Sequence, residues 1–140
     1  MGARGPHDDF ESARKRILAV YATFTLEQNL DELFDRYVSD DLEYVNRHGT
    51  FHGHEPLLSE MRSQLENWRV EMEVERVVDA GDGALITVMK VTRLDKETGE
   101  VAWKAWPALV QRIHAGKLVF NEGYVDRRKA FAALGVEEPA

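Results

Sequence analysis

The sequence of 140 residues contains no cysteine, which excludes disulfide bonds, thiolate nucleophiles and cysteine metal ligands. It has no apolar run of the roughly 18 residues that a membrane span needs, and residues 1–9 lack the apolar core of a signal peptide. Acidic residues outnumber basic ones, and the formal charge of −7 argues against nucleic acid as a partner. We therefore expect a cytoplasmic protein that binds neither membranes nor nucleic acid.

The length is enough for one domain with its own hydrophobic core and short for two. Residues 1–9 contain two glycines, a proline and several charges, so they are predicted to form a flexible N-terminal tail. A single domain is expected over residues 10–135, followed by a C-terminal tail over residues 136–140.

The spacing of hydrophobic residues changes about halfway along the chain. In the first half they recur at steps of three and four, as Leu30, Leu33 and Tyr37 do, which indicates amphipathic helices. In the second half they alternate with polar residues, which indicates strands. The predicted helices span residues 10–29, 30–37, 56–67 and 127–134, and the predicted strands span residues 42–46, 70–78, 85–94, 101–113 and 118–125.

Helices that precede an antiparallel sheet are typical of α+β folds. We expect a cone-shaped fold in which a strongly curved antiparallel sheet wraps around the N-terminal helices and encloses a pocket. Pro107 lies inside the strand predicted at residues 101–113 and cannot donate to the ladder, so a bulge or an edge is expected there.

Five short strings occur in a characteristic order along nearly the whole chain. They are LDELF from Leu30, DDL from Asp40, FHGHE from Phe51, GKL from Gly116 and YVD from Tyr124. In order and spacing they resemble the SnoaL-like group of the nuclear transport factor 2-like superfamily. The resemblance implies a cone of curved sheet closed by helices, usually dimeric through the outer face of the sheet. This fold hosts isomerases, cyclases, hydrolases, dehydratases and non-catalytic binding modules, so it does not define a function.

One relative of this group, ketosteroid isomerase, provides the first comparison of site residues. Its first-helix tyrosine supplies an oxyanion donor, and the resemblance assigns that position to Tyr21. Its general-base aspartate corresponds to Asn46, which cannot accept a proton at neutral pH. Its second oxyanion donor falls near Ala108. Two of the three roles are absent, so isomerisation by that mechanism is not expected.

A second relative, limonene epoxide hydrolase, holds its attacking water with a tyrosine and an asparagine two residues apart. Tyr44 and Asn46 match that pair. The same enzyme needs an arginine followed two residues later by an aspartate, and the chain contains Arg93 and Asp95 next to a predicted hairpin. The aspartate on its last strand falls on Gly123. The resemblance to this enzyme is therefore incomplete.

The expected pocket lies between the sheet and the helices and is largely apolar. If Gly123 faces inward, alternation also turns Asn121 inward, together with Trp106 and Val110 on the preceding strand. The residues predicted to bind substrate are Phe24, Tyr44, Met61, Met89, Val91, Trp106, Val110 and Asn121, and those predicted to act in catalysis are Tyr21, Asn46 and His48. We expect the ligand to be a small apolar or aromatic organic molecule.

The outer face of the last strand is also predicted to carry apolar residues. Phe120, Glu122 and Tyr124 face outward under the same alternation, near an outward Trp103. Because an isolated domain would leave this patch in water, a homodimer through the convex face is expected.

Three histidines form the pattern H-x3-H-x-H at His48, His52 and His54. Imidazole is a good zinc ligand, but the segment has no established ligand spacing, so no metal is expected. The chain has no phosphate-cradling glycine loop, and no cofactor is expected either. Imidazole ionises near neutral pH, which makes His48, two residues beyond Asn46, a candidate for acid–base catalysis.

Two classes of function are open on these grounds. The first is an enzyme of isomerase, polyketide-cyclase-like or epoxide-hydrolase-like type. The second is a non-catalytic protein that binds a small ligand, because the strong acid or base of the related enzymes is missing from the matching positions. A carboxylate or histidine that projects into the pocket would separate the two classes.

Overall fold

The computed structural model describes residues 8–139, which form four α-helices and seven β-strands. The helices are α1 (Phe10–Glu27), α2 (Leu30–Tyr37), α3 (Glu55–Asn67) and α4 (Arg127–Leu134). The strands are β1 (Val38–Asn46), β2 (Gly49–His52), β3 (Arg69–Gly81), β4 (Ala84–Leu94), β5 (Val101–Ala105), β6 (Ala108–His114) and β7 (Lys117–Tyr124). Residues 1–7 of the predicted N-terminal tail lie outside the described residues. No described helix is long and apolar enough to cross a membrane.

Side-chain caps define where the first two helices begin. The carboxylate of Asp9 accepts a hydrogen bond from the backbone N–H of Ser12 at 3.0 Å, and Asn29 accepts one from Glu32 at 3.3 Å. Between the helices, Gln28 adopts a left-handed conformation with φ of 51°, which ends α1 and redirects the chain. The two helices can therefore lie against the same face of the sheet.

The seven strands form one sheet in the order β2-β1-β7-β6-β4-β3, and β5 pairs with one end of β4. The α+β cone expected from the sequence is confirmed, but its sheet is mixed. β1 and β7 run parallel, with Tyr44 opposite Asn121. Parallel pairing needs a long crossover, and the chain from α3 to β6 provides it. The prediction of an antiparallel sheet is wrong for this pair of strands.

Pro107 divides the strand predicted at residues 101–113 into two. β5 pairs with residues 91–94 of β4, whereas β6 pairs with residues 85–88. At the junction the backbone N–H of Met89 donates to the carbonyl oxygen of Pro107 at 2.9 Å. The irregularity expected at this proline is confirmed, although β5 and β6 keep the same register against β4.

Two hydrophobic clusters cover the two faces of the sheet. The larger one joins α1, α2 and α3 to the pocket face and includes the fully buried Phe24 and Leu42. The smaller one lies under α4 and includes Ile86 and Phe131. Because β4 is buried on both faces, residues 84–89 form a continuous buried run rather than an alternating one.

The cluster under α4 also uses part of the face that suggested a dimer. Phe120 and Tyr124 pack against it, and Trp103 lines the pocket. The exposed apolar patch is therefore smaller than expected, and the homodimer stays a prediction. After α4, the carbonyl oxygen of Pro139 accepts a hydrogen bond from Arg76 at 2.9 Å, so the described part of the predicted C-terminal tail contacts β3.

Candidate functional site

A pocket of about 630 Å³ lies between the sheet and helices α1, α2 and α3. Its volume is in the range of sites for small organic ligands. Of the predicted site residues, nine line it: Tyr21, Phe24, Tyr44, Asn46, His48, Met61, Met89, Val91 and Asn121. Apolar side chains make up most of the wall, and the polar groups occur in a few clusters.

Trp106 and Val110 were predicted to line the pocket, and the structure places both elsewhere. Val110 packs under α4 in the second cluster, and Trp106 is 47% exposed. Leu109 lies opposite Gly123, and both line the pocket. Alternation does continue through Pro107, because β5 and β6 share one register against β4. The prediction turned the wrong set of alternate residues inward, and an assignment that is wrong by one residue turns every side chain to the other face. Trp103, predicted to face outward, lines the pocket.

The most buried polar group of the site is Gln111, which the sequence analysis did not identify. Its Nε2 donates to Asn121 Oδ1 at 2.8 Å and to the hydroxyl oxygen of Tyr21 at 2.9 Å. Its Oε1 accepts a hydrogen bond from the Thr87 hydroxyl at 2.7 Å. Gln111 and Thr87 are fully buried, so these bonds satisfy groups that water does not reach. The sequence did contain a signal for Gln111, since it is a polar residue between the apolar Val110 and Ile113.

Tyr21 keeps its proton at neutral pH. Burial raises the pKa of Tyr21 to about 12, although the hydrogen bond from Gln111 opposes the rise. The hydroxyl oxygen accepts from Gln111, and the hydroxyl hydrogen has no acceptor among the described residues. Tyr21 can therefore donate a hydrogen bond to a ligand oxygen.

Asn46 has a structural partner at the end of β1. Its Oδ1 accepts a hydrogen bond from the backbone N–H of His48 at 2.7 Å, which closes the two-residue turn between β1 and β2. Its amide group also hydrogen-bonds to the Tyr44 hydroxyl. Asn46 therefore shapes the hairpin and at the same time holds a polar group of the pocket.

A carboxylate that the sequence analysis did not identify stands beside Tyr44. The hydroxyl of Tyr44 donates a hydrogen bond to Oε2 of Glu60 on α3, and both residues line the pocket. Burial, followed by the bond to Glu60, raises the pKa of Tyr44 to about 12, while the bond from Asn46 opposes the rise. The phenol is thus the proton donor of the pair and the carboxylate is the acceptor.

The helical spacing of α3 could have revealed Glu60. Residues Leu57, Glu60, Met61 and Gln64 are three and four apart, and all of them line the pocket. Polar residues on the flank of an apolar stripe are ordinarily solvated, and Glu60 is itself exposed. The hydrogen bond from Tyr44 on β1 connects its carboxylate to the pocket.

A third polar cluster contains Arg93 near the end of β4. Its guanidinium carbon lies 4.3 Å from the ring centroid of Trp103, the residue opposite it on β5. Its Nη2 donates to Oε1 of Gln64 at 3.2 Å. Its Nε is buried and has no hydrogen-bond partner among the described residues.

The two aspartates that the epoxide-hydrolase resemblance requires are absent from the pocket. Asp95 lies in the β4–β5 hairpin, where its Oδ1 accepts from the backbone N–H groups of Glu97 at 2.8 Å and Thr98 at 2.9 Å. These bonds lower the pKa of Asp95. The second aspartate of that enzyme lies on its last strand, and the matching residue here is Gly123, which has no side chain.

The three histidines of the H-x3-H-x-H pattern do not converge. His48 lines the pocket, and its Nε2 accepts from Nε of Arg47 at 3.3 Å. His52 is exposed on β2. The ring of His54 packs edge-on against Phe34, and its Nε2 lies 2.9 Å from the carbonyl oxygen of Val38. Within residues 8–139 no three His, Asp or Glu side chains are grouped so that they could hold a metal ion.

The sequence matches no protein-family model and no curated protein. Solved structures do resemble it. A putative SnoaL-like polyketide cyclase from Jannaschia sp. CCS1 has 11% identity and a TM-score of 0.69, with 99% of this chain and 100% of that chain covered. An M. tuberculosis LEH-like epoxide hydrolase has 18% identity and a TM-score of 0.65, with 89% and 85% covered.

A third similar structure is a hypothetical protein with a ketosteroid isomerase-like fold from Catenulispora acidiphila DSM 44928, in complex with trimethylamine. It has 16% identity and a TM-score of 0.62, with 86% of this chain and 93% of that chain covered. At such identities the likeness establishes the fold and leaves the activity open. The chain therefore has the nuclear transport factor 2-like fold that its sequence strings suggested.

Proposed function

We propose that this protein of nuclear transport factor 2-like fold is an enzyme that moves a proton on a small apolar or aromatic organic substrate, with Glu60 as its base. The observation that carries the proposal is the Glu60 carboxylate, held by Tyr44 in a pocket whose wall is mostly apolar. A carboxylate or histidine in the pocket is what distinguishes acid–base catalysis from passive binding. Isomerisation, cyclisation and hydrolysis all use such a group.

The hydrogen bond from Tyr44 determines what Glu60 can do. Because the pKa of Tyr44 is about 12, the phenol does not compete for the proton near neutral pH. It occupies Oε2 and orients the carboxylate, which leaves Oε1 to accept a proton from the substrate. Asn46 in turn hydrogen-bonds to the Tyr44 hydroxyl. These three residues form one chain of hydrogen bonds that ends at the base.

Tyr21 supplies the complementary electrophilic group. When Glu60 takes a proton from a carbon beside a carbonyl group, the electron pair of the C–H bond moves towards the carbonyl oxygen. The Tyr21 hydroxyl hydrogen, free of any described acceptor, donates to that oxygen. Glu60 then returns the proton to a different carbon, which completes an isomerisation. His48 lines the same pocket as a second acid–base group.

The test is exchange of α-protons of 1-tetralone, an apolar ketone of suitable size, in deuterated water followed by nuclear magnetic resonance. We expect the wild-type protein to accelerate exchange and Glu60→Gln to abolish the acceleration. Glu66→Gln is the matched control, because Glu66 is an exposed residue of the same helix whose side chain makes no described hydrogen bond. Undiminished exchange by folded Glu60→Gln would refute the role of Glu60.

A non-catalytic binding protein is the second candidate. The observation in its favour is that Asp95 caps a hairpin and Gly123 has no side chain, so the carboxylates of the epoxide-hydrolase resemblance are missing. Under this alternative, wild-type protein binds 1-tetralone without accelerating exchange. Binding of the ketone with no exchange would therefore support the second candidate over the first.

A further inference from the structure

Arg93 carries a positive charge in the pocket wall without a carboxylate to pair with. Its side chain makes one hydrogen bond among the described residues, to the neutral amide of Gln64 at 3.2 Å. No described Asp or Glu forms an ion pair with it, although other arginines, such as Arg62 with Asp31, do pair. Asp95, two residues along the chain, is engaged by the hairpin backbone instead.

The surroundings of Arg93 provide fewer hydrogen-bond acceptors than its guanidinium has donors. Its side chain is partly buried, and its Nε has lost contact with solvent without gaining an acceptor. A guanidinium has five N–H donors in a planar fork that fits a carboxylate. The Trp103 ring at 4.3 Å attracts the cation and holds its plane, but it accepts none of these hydrogen bonds. An anion from outside the chain would satisfy both the charge and the free donors.

The position of Arg93 relates it to the proposed base. Gln64, its hydrogen-bond partner, is one helical turn from Glu60 on the pocket side of α3. Residues at this spacing have Cβ atoms about 5–6 Å apart. A ligand of a few carbon atoms can therefore contact the guanidinium at one end and lie near the Glu60 carboxylate with its other end.

We propose that Arg93 binds a carboxylate of the substrate, so that the pocket takes small aromatic acids. The inference deepens the proposed function and rests on the same pocket. Trp103 presents an apolar face beside the charge, and the apolar wall takes the rest of the ligand. The carboxylate accepts hydrogen bonds from the N–H groups that Gln64 leaves free and neutralises the charge.

The net charge of the chain bears on how an acid would be bound. At −7 the molecule as a whole repels an anion at long range. A preference for the acid over an uncharged ligand of the same shape must therefore come from a local contact. Of the two arginines that line the pocket, Arg93 stacks on an aromatic ring, whereas Arg47 is exposed and donates to His48.

The test compares 2-naphthoate with its uncharged analogue 2-naphthamide by isothermal titration calorimetry near neutral pH. We expect the wild-type protein to bind the acid at least about tenfold more tightly, as a charge-assisted hydrogen bond would provide. Arg93→Met should remove the preference for the acid while leaving the affinity for the amide within about threefold. Arg93→Lys, which keeps the charge but loses the planar fork, should lie between them.

Arg69→Met is the matched control. Arg69 is exposed on β3 and lies opposite Leu94, so it neighbours Arg93 in the sheet while its side chain points to the other face. Its replacement removes the same charge without touching the pocket, and the preference for the acid should persist.

Three results would overturn the inference: an unchanged preference in Arg93→Met, equal losses for acid and amide, or no preference in the wild type. Because binding is measured without turnover, the outcome is independent of whether Glu60 acts as a base.

Discussion

The hydroxyl of Tyr44 donates a hydrogen bond to the carboxylate of Glu60, and this contact joins β1 to α3 across the pocket. Tyr44 also lies opposite Asn121 on β7, whose Oδ1 accepts from Gln111 on β6. Polar side chains from three neighbouring strands are therefore adjacent on the concave face of an otherwise apolar wall.

Two substitutions of Asn46 separate its structural role from its role in the pocket. Asn46→Leu removes the acceptor of the His48 N–H, and we expect the free energy of unfolding to fall by about 1 kcal/mol. Asn46→Asp keeps that acceptor, so its stability in urea should stay close to wild type. Both variants lose the amide that donates to Tyr44, so both should slow proton exchange. Full exchange activity in Asn46→Asp would show that the amide has no part in the chemistry.

Gln111 should contribute more to stability than any other amide of the pocket. Gln111→Leu leaves the buried Thr87 hydroxyl and Asn121 without their partner. We expect the free energy of unfolding in urea to fall by roughly 1–3 kcal/mol, the cost of buried unsatisfied groups. Gln64→Leu is the control, since Gln64 is partly exposed and water replaces its bond to Arg93. Equal losses in the two variants would contradict the importance of the buried network.

Alkaline conditions should destabilise the fold through two tyrosines. Folding raises the pKa of Tyr21 and Tyr44 from 10.0 to about 12. Their contribution to stability is complete below pH 10, and it is lost as the pH rises from about 10 to 12, because the unfolded chain releases protons that the folded chain retains. Denaturant unfolding measured across this range should show the decline.

Tyr44→Phe provides the comparison for the alkaline prediction. The variant lacks one of the late-titrating phenols, so its stability should fall less steeply with pH above 10. The ultraviolet absorbance of tyrosinate in the folded protein should likewise lose one late component. A decline as steep as that of the wild type would mean that Tyr44 is not responsible for the effect.

Several features of this protein were predictable because they depend on local chemistry. Asp126, whose side chain accepts from the Arg128 N–H at 3.1 Å, and Gly135, with φ of 65°, bound the last helix as their residue types predict. Tyr21 and Asn46 were placed in the pocket from periodicity and resemblance, and both line it. Their roles in binding and catalysis stay predictions.

Other features depended on the register between paired strands, which the local sequence pattern does not determine. Alternation leaves open which face of a strand is inside. The pairing of β6 with β7 places Val110 on the α4 side and Gln111 on the pocket side. The parallel pairing of β1 with β7 joins segments more than seventy residues apart in sequence, so nothing local indicated that Tyr44 would lie beside Asn121.

By itself, then, the sequence determined the periods, caps and turns, and through them the α+β cone. Tertiary structure decided which polar groups meet in the pocket. Glu60 has the sequence pattern of a solvated residue on the flank of α3, and it is exposed, but in the folded chain the Tyr44 hydroxyl of β1 hydrogen-bonds to it. In the sequence Arg93 and Asp95 suggest a pair, but in the structure the backbone of the hairpin donates a hydrogen bond to the Asp95 carboxylate. The physical reason is that hydrogen bonds and charges act between groups that folding brings together, whereas periodicity reports only which side of one element is apolar.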